Sequence, residues 1–225
     1  MARYVLAVRR KNWRVVVILR LGNILGNICN GLGFVMGWKN DQVSEGETEK
    51  ILELAKDCLA VEGDFVEFGC YKGDTSLLLA DVLVENSVEK PVKKLWIYDS
   101  FEGLPEKNVL DVSVLGEDFK AGELFVTKRE VKERFLRAGL PVPRIVKGWF
   151  SELKGDDLPD RIAFAFLDGD FYESIKDSLS LVEGRMMEGG VVVVHDYSNP
   201  ALPGVKKAVD EWGGASGSGF RVVLM

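Results

Sequence analysis

IAFAFLDGDFYES, residues 162–174, decides how this chain of 225 residues reads. Six consecutive apolar residues, Ile162 to Leu167, have no period-2 alternation, as expected of a strand buried on both faces. The run stops on Asp168-Gly169-Asp170, and residues 173–183 then show helical spacing. A buried strand, an acidic turn and a helix make one unit of an α/β sheet.

Working outward, the same alternation recurs. Ser44 and Glu47 form a capping box ahead of a helix through about residue 59. Strands are expected at 64–68, 94–98, 144–147, 191–194 and 220–224, with helices at 74–84 and 205–212. Thr127 and Glu130 form a second capping box, leading a charged helix to about residue 138. The fold class is therefore α/β, a doubly wound, mostly parallel sheet of the Rossmann-like type.

In such sheets ligands sit beyond the carboxyl ends of the strands, where strand order switches. The residues there are Glu67-Phe68-Gly69, Asp99-Ser100-Phe101, Gly148-Trp149, Asp168-Gly169-Asp170 and His195-Asp196. In VEFGCYKGDTS, 66–76, Gly69 and Gly73 allow a tight turn, but the pattern is not G-x-G-x-x-G. An acid before the turn would repel a pyrophosphate and suit the positive amino group of S-adenosylmethionine; a plain strand-to-helix turn explains the glycines equally well. Asp99, about thirty residues after Gly69, can accept both ribose hydroxyls or serve as a turn residue. Asp168 and Asp170 are close carboxylates that repel unless something positive lies beside them, and a hard divalent cation is the economical answer. His195, the chain's single histidine, stands beside Asp196 at the next strand end. Adjacent strands lie about 5 Å apart, so Asp168 and Asp196 can converge on one ion.

These segments resemble the macrocin O-methyltransferase family. The likeness runs from about residue 44 to 212 through YDSFEGLPE (98–106), KGWFSE (147–152), FLDGDFYESIKDSL (166–179) and HDYSNPALPGVKKAVDEW (195–212). The resemblance implies a class I fold and methyl transfer from S-adenosyl-L-methionine, with Mg²⁺, to a sugar hydroxyl of a glycosylated acceptor. It further implies that Glu67, Gly69, Gly73 and Ser76 line the methionine part of the cofactor, with Tyr71 nearby. Asp99 would hold the ribose, flanked by Ser100 and Phe101, with Gly148 and Trp149 towards the adenine. Asp168, His195 and Asp196 fall on the metal-binding positions, and Asp170 on that of the general base. The family usually has Asp at position 195. Imidazole suits Mn²⁺, Fe²⁺ or Zn²⁺ better than Mg²⁺. His195 is thus either a ligand or, with its reference pKa of about 6.5, the base. The family also has more chain after residue 212, so that edge of the substrate pocket is expected to be built differently.

The long segment 102–126 is expected to form a lid or acceptor wall. Two rival readings remain: a catechol-type or other small-molecule O-methyltransferase, and a non-catalytic cofactor-binding module. A NAD-dependent oxidoreductase ranks last.

Composition sets the outer limits. An apolar fraction of 47% with 28% charged residues excludes disordered, fibrous and polytopic membrane classes, and a net charge of −6 argues against nucleic-acid binding. Residues 1–40 hold seven basic residues and no acidic ones, leaving 22 basic against 35 acidic in the remainder. Two domains follow: a basic, apolar, helical N-terminal extension, 1–42, and a methyltransferase domain, 43–225. Within the extension, Leu21–Trp38 is uncharged but carries five Gly and three Asn, against a spanning helix. It reads as a buried or dimer-contacting helix, or as an interfacial helix in peripheral contact with an anionic membrane. Glycines 22, 26, 33 and 37 are compatible with a homodimer. Three cysteines without a disulfide or metal spacing, and no signal-peptide pattern, point to the cytoplasm, at or near the inner membrane surface.

Overall fold

The structure, a computed structural model, describes residues 5–10, 13–18, 42–86, 93–116, 119–213 and 219–225. It divides into two compact units, Met1–Asn30 and Gly31–Met225. In the first, Val5–Arg10 (β1) and Trp13–Ile18 (β2) pair as an antiparallel hairpin, which the reading of the extension as helical did not anticipate. Runs such as Val15-Val16-Val17-Ile18 favour strand because β-branched side chains fit a pleated backbone. The helix expected over 21–38, with its dimer-compatible glycines, and the Gly/Ser-rich stretch 214–218 lie outside the described residues.

The second unit is a six-stranded sheet with helices on both faces. In chain order it runs α1 (Glu45–Asp57), β3 (Asp64–Phe68), α2 (Asp74–Glu85), β4 (Leu95–Asp99), α3 (Lys128–Ala138) and β5 (Arg144–Lys147). It continues with β6 (Ile162–Leu167), α4 (Tyr172–Glu183), β7 (Met186–Val194), α5 (Pro203–Trp212) and β8 (Arg221–Leu224). Strand order is β5-β4-β3-β6-β7-β8 and every neighbouring pair is parallel. The chain builds outward from β3 to β5 and then returns to β6 on the other side. The switch therefore falls between β3 and β6.

Both capping boxes form, at Ser44/Glu47 and at Thr127/Glu130, so α1 and α3 start where the sequence indicated. β7 begins at Met186, earlier than the 191–194 expected, because Glu188 and Gly189 interrupt the apolar run without ending the strand.

All six residues of β6 are fully buried and divide between two cores. Phe164 and Phe166 pack with Phe65, Ile97 and Val193 under the face carrying α1, α2 and α3. Ala165 and Leu167 pack with Val66, Phe68, Tyr98 and Val194 against α4 and α5. Each buried phenylalanine contributes about 1.5–3 kcal/mol of transfer free energy, which makes the central strand a rigid base for the loops at its end.

The sheet ladder continues one residue past the strand ends. Asp168 N donates to Phe68 O (2.8 Å), His195 N to Leu167 O (3.0 Å) and Gly69 N to Tyr98 O (2.9 Å). Those bonds set Gly69, Asp168 and His195 side by side at the carboxyl edge, on either side of the switch.

Candidate functional site

An open cleft lies over that edge. Of the residues expected at the site, Glu67, Gly69, Tyr71, Asp99, Ser100 and Trp149 line it, as do Asp168, Asp170, His195 and Asp196. Gly73, Ser76, Phe101 and Gly148 were expected at its wall and are not among the lining residues. Gly73 is the left-handed N-cap of α2, at φ 81°. Ser76 is fully buried beneath Glu67, and Phe101 is packed into the core with 4% exposure. Gly148 continues the β5 ladder, its N–H donating to Asp99 O.

Gly69 has a packing reason of its own. Its φ is 85°, and a Cβ there would lie 1.9 Å from the Asp168 carbonyl oxygen. The glycine lets the ends of β3 and β6 close together, so the Glu67 and Asp168 sides of the cleft meet there. Glu67 is 1% exposed and accepts a short hydrogen bond from Ser76 Oγ. Burial, only partly opposed by that bond, pushes its carboxyl up to about 8.

Asp99 is more occupied than expected. Its Oδ2 accepts from Cys70 N and Tyr71 N at 3.0 Å each, and its Oδ1 from Phe101 N at 2.8 Å. Of roughly four acceptor positions on a carboxylate, one remains, on Oδ1. Asp99 thus ties the β3 and β4 loops together while facing the cleft. Burial raises its pKa, against the three amide donors. Tyr71 (φ 43°) and Phe101 (φ 52°), beside it, adopt left-handed backbone. So do Asp170 (61°) and Asp196 (60°) across the cleft, and strained conformations of this kind gather at functional sites.

At the far wall, Asp168, His195 and Asp196 each offer one atom, all within 4.8 Å of one another. His195 Nδ1 lies 2.9 Å from Asp168 Oδ1 and 3.0 Å from Asp196 Oδ2. Burial works against a charged ring, but the hydrogen bonds and charges of the two aspartates outweigh it and push His195 up to about 11. Burial would also raise Asp196, yet His195 and the Asn199 Nδ2 donor (2.8 Å) hold it below the usual carboxylate range. Burial, then the charges of Asp168 and Asp196, raise Asp170 well above that range. Either a protonated ring or a cation held beside it would offset the repulsion among these acids. Two carboxylates and an imidazole facing one point also match the donor set of a divalent cation such as Mn²⁺ or Fe²⁺, so the residues fit a metal.

Asp111, Phe150 and Glu47 escaped the sequence. Segment 102–126 does reach the cleft, through Leu104, Phe119 and Leu124. It is held by Asp111, 2% exposed, whose Oδ1 accepts from Tyr172 N at 2.7 Å and whose Oδ2 accepts from Asn108 N at 3.2 Å. Phe150 also lines the cleft, its ring edge-on to Phe68 at 5.2 Å; the aromatic next to Trp149 was the available signal. Glu47 is the third. Its Oε1 lies 3.8 Å from His195 Nε2, while its capping box was the visible signal.

Residues 43–217 match the family model described as macrocin-O-methyltransferase (TylF). A 4'-O-methyltransferase of Streptomyces olivaceus acting on a dimethoxy-rhamnosyl tetracenomycin is 32% identical over 163 residues, covering 70% of this chain and 60% of the relative. The demethyldecarbamoylnovobiocin O-methyltransferase of Streptomyces niveus is 31% identical over 179 residues, covering 73% and 64%. The chain thus spans under two thirds of the length of these curated relatives. Among solved structures, the O-methyltransferase NovP superposes with a TM-score of 0.61 at 31% identity, covering 73% of this chain and 69% of that one.

Proposed function

The chain belongs to the macrocin O-methyltransferase family, and from that premise we propose that it transfers a methyl group from S-adenosyl-L-methionine to a sugar hydroxyl of a glycosylated small molecule. The observation that carries this reading is the placement of two acidic walls in one cleft. Glu67 and Asp99, on β3 and β4, form a cation-accepting and ribose-accepting side. Asp168, Asp170, His195 and Asp196, on β6 and β7, form a metal- and proton-handling side.

The chemistry is an in-line displacement in which the hydroxyl oxygen bonds the methyl carbon, the carbon–sulfur bond breaks, and the hydroxyl proton leaves to a base. Positioning supplies much of the rate. Glu67 would hold the ammonium of the donor and Asp99 one ribose hydroxyl. Asp168, His195 and Asp196 would hold a divalent cation, Mg²⁺ or Mn²⁺, which supplies Lewis-acid polarisation of the acceptor hydroxyl. Asp170 would take the proton, its ionised form being favoured once a cation offsets the charges of Asp168 and Asp196. His195 would serve as a ligand rather than as the base, since its Nδ1 faces the two aspartates.

The acceptor enters past segment 102–126, whose Leu104, Phe119 and Leu124 make an apolar wall suited to an aglycone beside the sugar. The basic residues of 1–40 are proposed to hold the protein against an anionic inner membrane surface, with catalysis in the cytoplasm. Among the described residues no helix is long and apolar enough to cross a membrane.

The test uses S-adenosylmethionine carrying a labelled methyl group, a panel of glycosides and catechols, and mass spectrometry of products with Mn²⁺, Mg²⁺ or chelator. Metal-stimulated labelling of a glycoside, lost in Asp168→Ala and Asp196→Ala, is the expected result. Labelling of catechols alone would move the acceptor class. Cofactor binding with no product would favour a binding module, and turnover unchanged by chelator and by both substitutions would end the metal-assisted mechanism.

A further inference from the structure

His195 presents Nδ1 to the two aspartates and Nε2 to α1, where Glu47 waits. Glu47 divides its carboxylate between two tasks. Oε2 accepts from Ser44 N (3.1 Å) and Ser44 Oγ (2.6 Å), closing the cap of α1. Oε1 is left over and lies 3.8 Å from His195 Nε2, within ion-pair reach though longer than a hydrogen bond. The cap is itself anchored, since Val43 before it is 3% exposed and Ile51, Leu54 and Ala55 of α1 are buried.

We propose that Glu47 is the positioning residue for His195: it takes the Nε2–H of the ring and so leaves the Nδ1 lone pair for a divalent cation shared with Asp168 and Asp196. The inference rests on the metal reading above and adds to it a residue on a different element. A neutral imidazole has one N–H. With two carboxylates facing Nδ1, that proton would stay on Nδ1 and turn the ring into a donor that blocks the cation. A carboxylate on the opposite nitrogen gives that proton a second acceptor once a cation occupies the Nδ1 side, and outer carboxylates of this kind orient metal-bound histidines in general. A ligand set that uses His at 195 needs such a partner, whereas an aspartate there would not. Glu47 would therefore couple the start of α1 to the metal side of the cleft.

The single histidine makes the test clean. In the full chain labelled with ¹⁵N-histidine and loaded with Zn²⁺, long-range ¹H–¹⁵N spectra should show Nδ1 metal-bound and Nε2 protonated. Calorimetric titration with Mn²⁺ should show Glu47→Gln weakened about tenfold to a hundredfold, the usual effect of losing such a partner. Glutamine still serves a capping box, so the helix start survives. Ser44→Ala, which loosens the cap but spares the charge, should keep its Mn²⁺ affinity within about twofold, and Glu47→Asp should fall in between, the shorter acid keeping charge but losing reach. Equal losses in Ser44→Ala and Glu47→Gln, an unweakened Glu47→Gln, or Zn²⁺ on Nε2 would overturn the assignment while leaving the metal site standing. Absence of Mn²⁺ binding in the wild type would remove the metal reading and this inference together.

Discussion

Glu67 is a carboxyl buried to 1% exposure, donated to by Ser76 Oγ and pushed up to about 8 by its burial. At neutral pH the empty site therefore holds it largely protonated. A cofactor bearing an ammonium group favours the charged form, so binding should expel a proton. Calorimetry at pH 7 in phosphate and in Tris, which differ in ionisation heat, should reveal close to one proton released per S-adenosylmethionine, fading above about pH 9 where the group is already ionised. Identical heats in both buffers would refute this, and Glu67→Gln should release none. The same shift has a stability consequence. The folded pKa is raised above the unfolded value of 4.5, so the folded state binds more protons between the two. The stabilisation is full below about 4.5 and is lost as pH rises through about 8. Urea midpoints from pH 5 to 8.5 should fall more steeply in the wild type than in Glu67→Gln; parallel slopes would contradict it.

At the scale of elements, the connection that matters most is between segment 102–126 and α4. Helix α4 lacks a side-chain cap of its own at Phe171, and Asp111 supplies one from sixty-one residues away by accepting from Tyr172 N. A Cβ at Gly204 would lie 1.9 Å from Asp111 Oδ1, so α5 closes tightly over the same carboxylate. Asp111→Ala leaves a buried amide unpaired and should cost about 1–3 kcal/mol in denaturant melts. If the segment forms the acceptor wall proposed above, acceptor KM should rise severalfold while cofactor affinity stays near wild type. A reversed pattern would place the segment on the cofactor side instead.

These contacts also mark where sequence reading stops. Capping boxes, the all-apolar β6 and the acidic strand ends are local signals, and each was legible because neighbours in the chain create it. Asp111 to Tyr172 and Glu47 to His195 join distant residues, and only the fold brings them together. Glu47 was also concealed by its own capping box, which explained the residue without needing a second role. Gly69 was read as cofactor-lining, and the structure adds an independent demand, the approach of the Asp168 carbonyl. Asp99 lines the cleft, but its backbone donors could not be counted before the loops were seen.

For the whole molecule, the uneven charge becomes the governing quantity. Residues 1–40 carry seven positive charges and no negative ones, against a remainder with 13 more acids than bases. Near an anionic surface each basic residue contributes about 1 kcal/mol within a Debye length, so seven could hold a chain there, while the acidic remainder is repelled. The two regions thus oppose one another, and ionic strength sets the balance. Vesicles with about a third anionic lipid should carry the full chain in flotation at low salt and release it at about 0.5 M, where screening is several-fold shorter. A chain reduced to residues 42–225 should stay at the bottom under both conditions. It should still bind S-adenosylmethionine, since every lining residue of the cleft lies between Gln42 and Asn199. Equal flotation of both chains would assign membrane contact to the catalytic unit. Loss of cofactor binding on truncation would show that the arm supports the site rather than its address.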